Sequence, residues 1–149
     1  MKLAFYRGTR ANPRARWMDW LICWWTGSPY SHVELVVEQS GQTGVCWSSS
    51  MRSDGPGGVR CALIDLSTDS WELVNVEADK RAATEWFSDR EGWPYDYVGL
   101  LGFVLPFVKH RKQALYCSEA VASALITGGW QGLETQITPG ELYAWAKGQ

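Results

Sequence analysis

A chain of 149 residues has the length of one compact domain; two would each be unusually small. Hydrophobic residues make up 46% and charged residues 20%, which excludes a disordered chain and a collagen-like fibre. The net charge of −2, from 14 Lys+Arg against 16 Asp+Glu, gives no broad basic field, so nucleic acid is not an expected partner.

Leu3 to Tyr6 reads as a short first strand. Asn12-Pro13 is the expected start of a helix, because an Asx side chain accepts from the first free N–H groups and Pro suits the first turn. Trp17, Trp20, Leu21, Trp24 and Trp25 then recur at the spacing of one helical face until Gly27. They belong to a set of ten Trp, the strongest deviation in the composition, which predicts an aromatic core or an apolar groove. Ser28 to Ser31 turns the chain into a mostly buried strand, His32 to Glu38, which pairs with Val45 to Ser49 as a hairpin. After a loop at Ser53 to Gly58, Val59 to Leu66 and Trp71 to Val76 complete a four- or five-stranded, mainly antiparallel sheet.

Helices dominate the second half. Asp79 caps one through about Arg90, with Ala82, Ala83, Trp86 and Phe87 on one side. Tyr97 to Phe107 is a hydrophobic helix, followed by a solvated basic loop, Lys109 to Lys112. Tyr116-Cys117-Ser118-Glu119 opens a helix to about Thr127, and Thr138-Pro139-Gly140-Glu141 is a capping box for the last one. The class is therefore α+β, over residues 1–149 as a single domain.

The apolar run from Val98 to Val108 is too short to span a bilayer and is interrupted by Pro106, so a buried helix is expected and no transmembrane segment. No export signal is visible in the first residues, so a cytoplasmic location is expected, with packaging in a virus particle or release by lysis as alternatives. The four cysteines are scattered without a CxxC, which points to free thiols and away from a disulfide framework. No ligand spacing surrounds the histidines, so no metal and no cofactor is expected.

Two residues carry chemistry. His110 sits in a charge run, KHRK, and reads as solvated, whereas His32 begins a buried strand directly after a turn. Cys23, Cys46 and Cys61 read as small buried hydrophobes. Cys117 stands where a loop becomes a helix, and there unpaired N–H groups and the helix dipole favour a thiolate and an oxyanion. A helix-start cysteine with a strand-start histidine is the pair that thiol acyl transfer needs.

The segments TGSPYSHVELVV, GWPYDYVGLLGF and YCSEAVASAL, with Pro139-x-x-Leu142 after them, resemble the circularly permuted NlpC/P60 branch of the papain-like cysteine hydrolases. That branch includes the lecithin:retinol acyltransferase-like proteins, and in it the His precedes the Cys, as His32 precedes Cys117. The resemblance implies a papain-like, permuted fold, Cys117 as nucleophile, His32 as general base and then acid, and Tyr95 as a residue lining the site. It also implies a third polar residue on the strand after His32. The only polar groups near that place are Ser48 and Ser49. Glu34, two residues past His32 on the same strand face, could stand in for that third residue but is favoured as an ion-pair partner for a neighbouring Arg or Lys, and Glu119 is taken as electrostatic support for the helix start.

The expected activity is hydrolysis of an amide or isopeptide bond in a small, cell-wall-like peptide through a Cys117 acyl-enzyme. Two alternatives stay open: an acyltransferase or thioesterase acting on a lipid-like acyl substrate with the same pair, and a non-catalytic module binding through an aromatic groove. Oligomeric state is not legible.

Overall fold

The computed structural model describes residues 1–12, 14, 16–51, 57–102 (backbone alone at 100–102) and 113–148. Alternating apolar residues in the first half form β1 (Lys2–Arg7), β2 (Tyr30–Ser40), β3 (Thr43–Ser50), β4 (Gly58–Asp65) and β5 (Trp71–Asn75), with α1 (Trp17–Thr26) after the first strand. The second half forms α2 (Lys80–Ser88), α3 (Tyr97–Gly102), α4 (Cys117–Thr127) and α5 (Pro139–Lys147). All strand pairs are antiparallel, in the order β4-β3-β2-β1-β5, so the α+β class and the five-stranded sheet packed against helices are as expected.

Period-2 alternation sorts the side chains into two layers. Leu3, Phe5, Val33, Leu35, Trp47 and Val74 share one core with Ala83 and Phe87 of α2, Val121 and Leu125 of α4, and Leu142 of α5. Ala4, Val36, Cys46 and Leu66 form a smaller second cluster. Each fully buried Leu, Val or Phe in these layers contributes about 1.5–3 kcal/mol of transfer free energy, which is what holds α4 on the sheet.

Two helix starts follow their local signals. The Asp79 carboxylate accepts from Arg81 N at 2.9 Å and Ala82 N at 3.1 Å. Thr138 and Glu141 exchange bonds of 3.2 and 2.8 Å across the first turn of α5, and each such cap contributes about 1 kcal/mol. Glu72 on β5 then locks α5 to the sheet: it accepts from Tyr30 and Tyr143 hydroxyls at 2.5 Å each and from Arg7 Nη2 at 2.9 Å. Those hydrogen bonds, the one from Tyr143 foremost, hold its carboxyl down at about 2.

Helix α1 departs from expectation twice. It begins at Trp17, not at Asn12-Pro13, because Asn12 folds its side chain back: Nδ2 donates to Arg7 O at 2.6 Å and Oδ1 accepts from Arg14 N at 3.0 Å. Asp19 serves the helix start instead, accepting from Arg16 N at 2.8 Å. Second, the aromatic face points outward. Asp19, Ile22 and Cys23 are buried, while Trp17 (72%), Trp24 (64%) and Trp25 (44%) are exposed. Of the ten Trp only Trp47 lies in the core, where it stacks on Phe87 at 5.7 Å. Pro13, residues 53–56 of the expected loop, the expected helix beyond 102, and the basic loop with His110 lie outside the described residues. Among those described, no helix is long and apolar enough to cross a membrane.

Candidate active site

Strand β2 is buried from Tyr30 to Val36, so a polar side chain there must find partners inside the protein. His32 and Glu34 lie two residues apart and therefore share a face of the strand. The imidazole Nε2 meets Glu34 Oε1 at 2.8 Å. The same carboxylate is gripped by Arg60 of β4, with Nη2 to Oε1 at 2.6 Å and Nη1 to Oε2 at 3.3 Å. Arg60 must cross β3 to do this, and the residue paired with it on β3 is the small Ser48, which leaves room for the guanidinium arm.

The other partner of His32 is Cys117. Its charge acts on the ring and favours the protonated imidazole. Burial alone would lower the affinity of the imidazole for its proton, but the Cys117 and Glu34 charges overcome that and raise it. The reciprocal holds for Glu34. Burial pushes its carboxyl up, but the hydrogen bond and charge of His32, with Arg60 behind them, bring it below the ordinary value. All three side chains are nearly closed to solvent, at 5% for His32, 1% for Glu34 and 2% for Cys117.

Cys117 is the first residue of α4, after Tyr116 at the N-cap with extended φ/ψ of −93° and 169°. The first N–H groups of a helix lack intrahelical acceptors, so this end presents donors and a positive dipole to the sulfur. Two serines hold the cysteine and histidine segments in place. Ser49 donates to Leu115 O at 2.5 Å, two residues before Cys117, and Ser48 donates to Val33 O at 2.7 Å, next to His32. Ser118 anchors the helix start further by donating to Ile137 O at 2.5 Å.

These bonds correct one expectation. Neither Ser48 nor Ser49 is brought to the imidazole, since each hydroxyl proton is directed at a backbone carbonyl elsewhere. The residue that meets Nε2 is Glu34, which is an ion-pair partner of Arg60, as expected, and a partner of His32 as well. Its signal was the i, i+2 spacing from a histidine on a strand buried on both faces. Tyr95 is buried and bridges in parallel to Leu115, with its ring 5.0 Å from that of Tyr97, so it lies beside the segment leading to Cys117. Bonds from Leu115 N to Pro94 O and from Asp96 N to Leu115 O, both 3.2 Å, fix that placement.

Glu119 sits in the first turn of α4 and accepts from the Tyr116 backbone, as a support for the helix start should. Its Oε2 is buried with no hydrogen-bond partner among the described residues. Burial, reinforced by the charge of Asp96, pushes its carboxyl up to about 7. A raised acid binds protons more tightly folded than unfolded, so its ionisation costs stability as pH rises from 4.5 to about 7. Glu119→Gln is accordingly expected to raise the unfolding free energy above pH 7 by on the order of 1–2 kcal/mol after allowance for partial exposure, and the thermal midpoint with it. The gain should vanish below pH 4.5, as read by thermal unfolding across pH.

All four cysteines are free; Cys23 and Cys46 are buried as expected, whereas Cys61 on the border strand β4 is exposed. Burial pushes Cys23 up to about 11 and Cys46 up to about 12, and it raises Cys61 as well. Among the described residues no group of three His, Cys, Asp or Glu is arranged to hold a metal ion. Comparison with protein-family models and with curated proteins finds no match for this chain.

Proposed function

We propose that the protein is a thiol hydrolase that cleaves an amide or isopeptide bond, on a permuted papain-like frame of the NlpC/P60 kind. The observation that carries this reading is a buried histidine that meets a carboxylate through Nε2 and is acted on by Cys117 at the start of α4. Cys117 of α4 and Glu34 of β2 both act on one imidazole, with Arg60 of β4 behind Glu34, which is the arrangement that activates a sulfur nucleophile.

In this mechanism His32 takes the Cys117 proton as the sulfur attacks the substrate carbonyl carbon. The carbonyl oxygen becomes an oxyanion facing the N–H groups at the start of α4. As the intermediate collapses, the C–N bond breaks and the imidazolium delivers its proton to the departing nitrogen. Water then gives a proton to His32 while its oxygen attacks the thioester. The acid leaves, and the proton returns to the sulfur. Glu34 keeps the ring oriented and stabilises its charged form throughout, with Arg60 holding Glu34. Tyr95 is assigned the lining of the site near the oxyanion, and a cell-wall-like peptide is the proposed substrate class.

A non-catalytic module was an alternative chiefly because a third polar group had no evident source. Glu34 supplies one, which favours the enzyme. The test is labelling with a neutral haloacetamide near pH 7, followed by mass mapping. Cys117 should label at least about tenfold faster than the buried Cys23 and Cys46 or the exposed Cys61, all three of which are raised above an ordinary thiol. Equal rates at all four sites would refute the proposal.

A further inference from the structure

Soluble helices turn their apolar stripe inward, and α1 does the reverse. Trp17, Leu21, Trp24 and Trp25 occupy positions i, i+4, i+7 and i+8, a single face, and all four are exposed. The orientation is built in. On the opposite face Asp19 is buried and accepts from the Ser31 hydroxyl at 2.9 Å, so rolling the helix to hide the tryptophans would strip a buried carboxylate of its partners.

The segment that carries this face is cationic, although Glu141 borders the groove beside Trp25 and Asp65 feels the Arg14 charge. From Arg7 to Thr26 the chain carries Arg7, Arg10, Arg14 and Arg16, and its one acidic residue is the buried Asp19. Arg7 is tied to Glu72. Arg10 lies over the Trp20 ring at 4.1 Å, at the margin of the stripe, while Arg14 and Arg16 are exposed. A local excess of guanidinium on a chain of net charge −2 marks this surface for an anionic partner.

We propose that this face of α1 docks on an anionic bilayer surface, with the tryptophans at headgroup depth and Arg10, Arg14 and Arg16 on the lipid phosphates. Tryptophan suits that boundary because one ring combines a large apolar body with an N–H, and the indole is enriched there for this reason. A helix lying in the interface needs to bury its apolar side only about 5–10 Å deep, and α1 presents three indoles and a leucine for that purpose. The basic cluster supplies the preference for negative lipid. The proposal is independent of the thiol chemistry.

The test is cosedimentation of the full chain with vesicles of phosphatidylcholine alone and of phosphatidylcholine mixed with phosphatidylglycerol, at low and high salt. Wild type should bind the mixed vesicles, more weakly the neutral ones, and lose most of the difference as salt rises. Trp17→Ser with Trp24→Ser should weaken binding to both by roughly tenfold or more. Arg14→Gln with Arg16→Gln should lower affinity for the mixed vesicles alone, by about fivefold per residue. Circular dichroism and the thermal midpoint check folding, and Trp17→Ser alone serves if the double variant unfolds. Cys117→Ala should bind as wild type does, which separates this proposal from the hydrolase. Failure of wild type to bind mixed vesicles overturns the proposal, and so does tight binding by a folded Trp variant. Self-association that depends on Trp17 and Trp24, without vesicle binding, would assign the face to a second copy of the chain and overturn it equally.

Discussion

Replacing Glu34 with Gln is expected to slow the reaction of Cys117 on the order of 10–100-fold near neutral pH, because the imidazolium loses the charge that stabilises it. The sign follows from the competing influences on His32. Burial opposes its protonation, and Cys117 and Glu34 together outweigh burial. Removing one of the two lets the ring release its proton at lower pH. An anionic haloacetate senses the imidazolium charge and should show a bell-shaped pH profile whose descending limb moves to lower pH in Glu34→Gln. A neutral haloacetamide senses the thiolate and should lack that limb. An unmoved limb would mean that Glu34 is only a structural ion-pair partner. The same substitution leaves Arg60, whose side chain is 19% exposed, without its counter-charge, and a loss of about 3 kcal/mol in unfolding free energy is expected. Glu34 is lowered in the folded protein, so its stabilisation is complete above its ordinary value of 4.5 and is lost as pH falls through its folded value.

Replacing His32 with Ala should have the larger chemical effect. In the proposed mechanism the ring accepts the sulfur proton, so its removal is expected to reduce the haloacetamide rate at Cys117 about 10²–10⁴-fold at pH 7, the usual range for a positioned acid–base group. Cys23 and Cys61, which lie outside the dyad, serve as internal references and should keep their slow rates. His32→Asn, closer in volume, guards against a collapse of the site. Unchanged labelling of Cys117 in both variants would remove the histidine from the mechanism.

What could be read from the sequence was local. The caps at Asp79 and Thr138 were legible because a cap depends on a few neighbouring backbone groups. The start of α4 at Cys117 was legible for a related reason, the change from loop to helix at Tyr116. Direction was not legible for α1. Periodicity shows that Trp17, Leu21, Trp24 and Trp25 share a face but not whether the face is covered, and Asp19 decided that through Ser31. The start of α1 failed on a competition between two uses of one side chain, since Asn12 closes a turn with Arg14 instead of capping a helix. At the site, Ser48 and Ser49 were polar at the expected place, yet a hydroxyl on a buried strand first satisfies the nearest carbonyl. Arg60 was invisible because its partner lies two strands away, reached only across a serine.

The position of β2 in the sheet has a kinetic consequence. It lies between β1 and β3, while β4 and β5 form the borders. Hydrogen exchange and fraying begin at such borders, where opening needs less free energy than in the interior. Transient fraying of β4 therefore withdraws only Arg60 and leaves His32 and Glu34 in register. The imidazole departs only when the centre of the sheet melts, so the working geometry lasts as long as the folded state itself.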